Sequence, residues 1–168
     1  MRSAFFSKKK MMEQPTQTNR EVPKYNLLEA MGYLTYQASV AIRRRISAEL
    51  VKKKCPITIE QFMALVYIWD EDGEPQWVLV EKLYRDKGAV ARLAKGIESL
   101  GFIKRVPSKE NNREKRLFMT KKGRALMDDI TQLVQEIYTN VAEVGIDDRD
   151  LATCKDVLKQ LRQNCNTL

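Results

Sequence analysis

The chain has no histidine among its 168 residues. That absence removes the commonest general acid–base group, the Ser-His and Cys-His nucleophile pairs, and the usual nitrogen ligand of zinc. Three cysteines, Cys55, Cys154 and Cys165, form no close pair, so no disulfide framework is expected and a metal site would need unusual ligands. Glycines are few, and Gly88 and Gly96 stand isolated rather than forming a phosphate-cradling loop. No apolar run approaches the roughly 18 to 20 residues that span a bilayer, and Ala4-Phe5-Phe6 is too short for the apolar region of a signal peptide. The acidic run Asp70-Glu71-Asp72-Gly73-Glu74 reads as a solvated turn between helices rather than a carboxylate site. No catalytic residue, metal, cofactor or membrane partner is expected, and the expected location is the cytoplasm.

What the chain does have is hydrophobic content of 43%, enough for one well-buried core, and a formal charge of +8. That charge is concentrated. Residues 85 to 124 hold thirteen Lys and Arg against four Asp and Glu, an excess of nine, whereas the other 128 residues come to minus one. Clustered cations gain most from releasing counterions on a polyphosphate, so the clustering points to nucleic acid more than a uniformly basic chain would.

The pattern of elements sharpens this. Residues 1–24 carry Lys8-Lys9-Lys10, Pro15 and Pro23 without periodicity and read as a mobile tail, with Met11 and Met12 as alternative starts of translation. From Tyr25 to about Lys53 apolar residues recur at three- and four-residue steps (Leu27, Leu28, Met31, Leu34, Ala38, Ile42, Ile46, Leu50), which predicts one long amphipathic helix. Thr58-Ile59-Glu60-Gln61 is a capping box opening a helix through Phe62, Leu65, Val66 and Trp69. Trp77 to Leu83 predicts a short helix burying Val78, Leu79 and Leu83. Asp86 caps a second, whose Val90, Leu93, Ile97 and Leu100 face inward and whose Lys87, Ala89, Arg92 and Lys95 face outward. Gly101 supplies a left-handed stop. Phe102 to Val106 and Arg116 to Met119 favour strands around a polar loop, Pro107 to Lys115. Thr120 caps a long helix with a stripe of Leu126, Met127, Ile130, Leu133, Val134, Ile137 and Val141. Gly145 stops it and Asp147 starts a last helix lined by Leu151, Cys154, Leu158, Leu161 and Cys165. A short helix, a second helix and a two-stranded loop in this order make a winged helix-turn-helix, whose partner class is double-stranded DNA.

Four pieces carry a family resemblance: Thr58 to Phe62; Lys82-Leu83-Tyr84-Arg85-Asp86-Lys87-Gly88-Ala89-Val90-Ala91-Arg92-Leu93; Gly101-Phe102-Ile103-Lys104-Arg105; and Leu117-Phe118-Met119-Thr120-Lys121-Lys122-Gly123. In this order and spacing, over residues 25 to 165, the chain resembles the MarR family of transcriptional regulators. The resemblance implies a mainly α fold: a winged helix-turn-helix with a small three-stranded antiparallel sheet, and N- and C-terminal helices forming a dimerisation lobe. The chain then divides into the tail (1–24), a first dimerisation helix (25–54), a DNA-binding lobe (55–120) and C-terminal dimerisation helices (121–168). It also implies a homodimer on a palindromic operator, most often as a repressor. The expected DNA contacts are Lys87, Ala89, Arg92 and Lys95 on the second helix, Arg113 in the minor groove, and Arg105, Lys109 and Lys115 on phosphates. Two departures stand out. The wing reads Asn111-Asn112-Arg113 where the family usually has Asp-x-Arg, and Gly88, Ala89 and Ala91 replace the usual hydroxyl readers.

Members resembling this chain bind small aromatic acids between their two lobes. By that likeness Tyr36, Arg43, Phe62 and Trp69 are a candidate crevice for an aromatic or anionic effector, with Arg43 as the anion partner, although aromatics at helical spacing are more often core. Peroxide sensing by a cysteine near the first helix does not carry over, since only Tyr25 stands there. Cys55 lies beside Lys52-Lys53-Lys54, which could lower its pKa, against the plainer reading of a loop thiol; Cys154 and Cys165 read as core or interface. The alternative function is a winged-helix module that binds DNA non-specifically or uses its wing on a protein.

Overall fold

The computed structural model describes residues 26–109, 111 and 114–166, so the expected tail and Tyr25 lie outside the described residues. The first apolar stripe does not form one helix. Asn26 Oδ1 accepts from Leu28 N (3.1 Å) and starts a 3-10 turn at Leu27–Glu29; Ala30 is extended (ψ 134°), and the α-helix, α1, runs Met31–Lys52. Asn26 offers the backbone a local alternative to the helix, and Leu27 and Leu28, 72% and 64% exposed, have no packing to oppose it. At its other end Cys55 N reaches back to Leu50 O (2.8 Å) and Lys54 takes the left-handed position (φ 52°) that glycine fills more readily.

Helix α2 (Ile59–Asp70) opens on the expected capping box. Thr58 accepts from Gln61 N at 3.2 Å, and the Gln61 side chain accepts from Thr58 N at 2.9 Å. It lies at the centre of the fold, burying Phe62, Ala64, Leu65 and Ile68 against α1, α3, α4, α5 and the second strand, elements bounded below.

The acidic turn after α2 is a structural joint rather than a solvated link. Asp72 accepts from Met119 N (2.7 Å) and pairs with Arg124, while Gly73 N donates to Leu117 O (2.8 Å) and Glu74 O accepts from Leu117 N (3.0 Å). Pro75 bridges Arg116, and Gln76 N donates to Lys115 O (2.7 Å). The expected third strand is thus reduced to one bridge beside a two-stranded sheet among the described residues. Pro75 has no N–H with which to extend the ladder.

The helix-turn-helix comprises α3 (Val78–Leu83) and α4 (Lys87–Ser99), separated by Tyr84 in the left-handed region. Only Leu79 of the three expected α3 core residues is fully buried; Val78 and Leu83 are half-buried. On α4 the inner line is Val90, Ala94 and Ile97, each 0% exposed, with Leu93 and Leu100 half-buried to its side. Small Ala94 lets α4 approach the core closely, which apolar periodicity in large residues does not register.

Gly101 (φ 78°) ends α4 with two capping bonds, Gly101 N to Glu98 O (2.8 Å) and Phe102 N to Ile97 O (3.3 Å). Strands β1 (Ile103–Pro107) and β2 (Lys115–Met119) pair antiparallel from Ile103 with Met119 to Pro107 with Lys115, so the loop between them is tighter than predicted.

Helix α5 (Lys121–Ile137) is locked to the start of that hairpin. Thr120 Oγ1 donates to Gly101 O (2.7 Å) and accepts from Gly123 N (3.0 Å). A Cβ on Gly123 would stand 2.1 Å from Phe102 O, so no other residue fits there. The Gly-Phe and Thr-x-x-Gly pieces, distant in sequence, are two halves of one joint. Past Ile137 the helix widens into a π turn (Tyr138–Ala142), which takes Val141 out of the buried stripe to 48% exposure. Gly145 is left-handed, and Asp147 caps α6 (Asp148–Cys165), none of whose residues is buried. Cys154 and Cys165 are therefore exposed and not core in the single chain. Among the described residues no helix is long and apolar enough to cross a membrane.

Candidate nucleic-acid interface

Asp86 begins the interface by fixing where α4 starts. Its Oδ1 accepts from Ala89 N at 2.8 Å, and this bond holds its carboxyl below the usual aspartate range. From there Lys87, Arg92 and Lys95 project as exposed cations, with Ala89 half-buried between them. Four cations of the basic segment are turned to structural work instead. Arg105 Nε pairs with Glu98 Oε2 at 2.8 Å while its backbone N donates to Oε1 at 3.0 Å; Arg116 donates to Gly73 O (3.1 Å); Lys122 donates to Leu100 O (2.9 Å) and lies 4.8 Å over the Phe102 ring; Arg124 pairs with Asp72. The Arg105 guanidinium, first among several causes, holds the Glu98 carboxyl below the ordinary glutamate range.

This sorts the residues expected on DNA. Lys87, Arg92 and Lys95 are exposed on α4, and Lys109 is exposed on the hairpin. Lys115 is half-buried at the loop end of the hairpin, facing Pro107 in the register. Arg105 is engaged inward and also donates to Gln76 Oε1 (3.4 Å). Arg113 lies outside the described residues. Sequence reasoning missed the Glu98–Arg105–Gln76 chain because its members come from α4, β1 and the α2–α3 connection. The only local sign was Glu98, the one acid between Lys87 and Lys109.

Of the expected effector residues, Arg43 and Phe62 come together and Tyr36 and Trp69 do not join them. A cavity of about 850 Å3 lies between α1, α2, the end of α5 and α6; Arg43 and Phe62 line it, along with Met31, Leu34, Ile42 and Leu158. Tyr36 is 65% exposed and, like Trp69 at the far end of α2, does not line this cavity. Arg43 is paired with Glu60 at 3.2 Å. Cys55 is half-buried and lines a separate cavity of about 460 Å3 with Lys53, Lys54, Asp129 and Glu136. Among the described residues no group of acids and cysteines could hold a metal ion.

Comparison with known proteins agrees with this geometry. The profile of the MarR family matches residues 57–115. The HTH-type transcriptional regulator YybA of Bacillus subtilis (strain 168) is 31% identical over 112 residues, covering 67% of this chain and 74% of that protein. The HTH-type transcriptional regulator MgrA of Staphylococcus aureus is 29% identical over 113 residues, 67% of this chain and 76% of its own. Among solved structures, a MarR-family regulator from Listeria monocytogenes in complex with a 26mer DNA superposes with a TM-score of 0.71 at 27% identity, over 81% of this chain and 89% of that one.

Proposed function

The chain belongs to the MarR family of transcriptional regulators, and from that membership we propose a homodimeric, sequence-specific regulator of double-stranded DNA, a repressor on a palindromic operator released by a small-molecule or stress signal. The observation that carries the reading is the exposure of Lys87, Arg92 and Lys95 on a helix whose inner line, Val90, Ala94 and Ile97, is fully buried. A helix so anchored presents its exposed cations to the major groove from a rigid frame. The wing then lies over the neighbouring minor groove, with Lys109 and Lys115 toward phosphates and Arg113 in the groove itself. The similar regulator from Listeria, solved in complex with DNA, supports duplex DNA as the partner.

Homodimerisation is proposed from the chain ends. Leu27, Leu28, Met31, Leu34, Val157, Leu158 and Leu161 are all exposed on the terminal segments, and a second copy offers the same apolar surface in return. A two-fold pair sets two recognition helices roughly 34 Å apart, one turn of DNA, hence the palindrome. The cavity beside Phe62 and Arg43 is where an aromatic or anionic effector would act, between the terminal helices and α2.

With Gly88, Ala89 and Ala91 on α4, few polar groups reach base edges, so specificity leans on phosphate contacts and groove shape. That same scarcity favours a second reading, a non-specific architectural binder. Titration of a duplex from the gene's own upstream region against a shuffled duplex, at several salt concentrations, separates the two. Regulation predicts tight binding of one dimer to the native duplex, well above the shuffled one. Equal, steeply salt-dependent binding to both supports the architectural role.

A further inference from the structure

We propose that Trp77 seats one sugar–phosphate strand of the duplex in the cleft between α4 and the β1–β2 wing, its ring against a deoxyribose and its indole N–H on a phosphate oxygen. The inference rests on the DNA-binding reading above. A protein that sends α4 into the major groove and its wing into the adjacent minor groove must straddle the one backbone strand dividing them. The structure has a cleft at that place, about 300 Å3, walled by Gln76, Trp77, Val80, Lys87, Glu114 and Lys115.

The lining fits a sugar–phosphate unit. Trp77 is 50% exposed, too open to be core, and its indole N–H has no partner among the described residues. Indole nitrogen is a donor only, which matches an anionic acceptor, and the ring and Val80 offer apolar surface to a sugar. Lys87 from α4 and Lys115 from β2 bring positive charge to the cleft, against the Glu114 carboxylate of the adjoining loop, whose backbone N donates to Asn111 O (2.8 Å). Arg105 holds Gln76 by its oxygen (3.4 Å), leaving the amide NH2 end as a second donor. Arg105 is thus a positioning residue for the cleft, although sequence reasoning had assigned it directly to phosphate.

Backbone contacts carry no sequence information, so loss of Trp77 should weaken native and shuffled duplexes by the same factor. The test compares wild type, Trp77→Phe and Trp77→Ala, full length, on both duplexes. The expected result is a roughly tenfold loss for Trp77→Ala on each, in line with an aromatic contact plus a phosphate bond, and a smaller loss for Trp77→Phe. A neutral methylphosphonate walked along the strand should weaken wild type most at one position and weaken Trp77→Phe less there, the remainder being the share of Lys87, Lys115 and Gln76. In Trp69→Phe, where Trp77 is the sole tryptophan of the two, DNA should shield its emission from acrylamide. Unchanged thermal midpoints of the Phe variants separate these effects from misfolding. Wild-type affinity in both Trp77 variants, with Trp77 emission still open to acrylamide, overturns the seat while leaving DNA binding intact. Failure of wild type to bind either duplex overturns both.

Discussion

The winged-helix lobe and the terminal helices treat apolar residues in opposite ways. From Ile57 to Met119 the large apolar residues of α2, α4 and the strands converge on one core, with Leu65, Val90 and Ile97 fully buried. In α1 only Ile46 and Leu50 are buried, and in α6 none is. Yet the two regions are alike in amphipathic patterning. On the homodimer proposed above, a difference in partners explains the contrast: the central lobe supplies both halves of its core from one chain, whereas each terminal helix would supply half. At about 1.5–3 kcal/mol for each large side chain moved from water to full burial, the exposed leucines, valines and methionines of α1 and α6 are a substantial unsatisfied driving force. Polar joints differ likewise. The central lobe is tied by bonds between distant segments, Asp72 to Met119 N and Arg124, Arg105 to Glu98, and Thr120 to Gly101. The ion pair within α6, Lys159 with Asp156, is local.

The strongest way to break the comparison is to charge the terminal face. Leu158→Asp with Leu161→Asp should yield a monomer by light scattering and lower operator affinity at least about 100-fold through loss of the second half-site, while the circular dichroism of the central lobe persists. A dimer that survives these changes would place the interface elsewhere. Next in size, Gly123→Ala drives a Cβ into Phe102 O and should destabilise the chain by about 3 kcal/mol in urea unfolding. A shift under 1 kcal/mol would mean that α5 and β1 are not packed as described.

Smaller effects come from single polar groups. The depressed Glu98 carboxyl is a stabilising group at neutral pH; its contribution is full above the ordinary glutamate range and is lost as pH falls through the lower folded value. Arg105→Ala should therefore reduce stability at pH 7 and lessen the stability lost on acidification toward pH 3, measured by thermal unfolding across pH. Identical pH profiles would remove Arg105 as the cause. The smallest change is in the opposite direction: Lys54→Gly relieves a left-handed residue (φ 52°) and should stabilise by about 1 kcal/mol. Any destabilisation would show that the Lys54 side chain contributes more than its backbone costs.

Much of this architecture is legible in residue order. The Thr58–Gln61 box, the Asp86 cap, the Gly101 stop and the Thr120 cap are local, set by groups within a few residues of each other, and each stands where the sequence puts it. What was not legible is non-local. Asp72 meets Met119 across 47 positions and Arg105 meets Gln76 across 29, and nothing in periodicity announces such pairs. The break at Ala30 and the π turn after Ile137 occur where tertiary packing fails to enforce a continuous stripe. For the interface, charge density located the lobe but could not tell Lys87, Arg92 and Lys95, which face outward, from Arg105, Arg116 and Arg124, which hold the fold. Trp69 falls outside the cavity although it shares a side of α2 with Phe62, because it stands two turns further along, at the exposed helix end, and helical spacing alone does not show how far along a helix a cavity extends.

The contrast between the two regions is tested most directly by amide hydrogen exchange at several protein concentrations, followed peptide by peptide. Protection of α1 and α6 should fall as the chain is diluted, while α2, α4 and the β1–β2 hairpin hold theirs. Protection of α6 that stays constant down to a mass of 19.5 kDa, the single chain, would contradict the half-core reading and leave α6 closing on its own subunit.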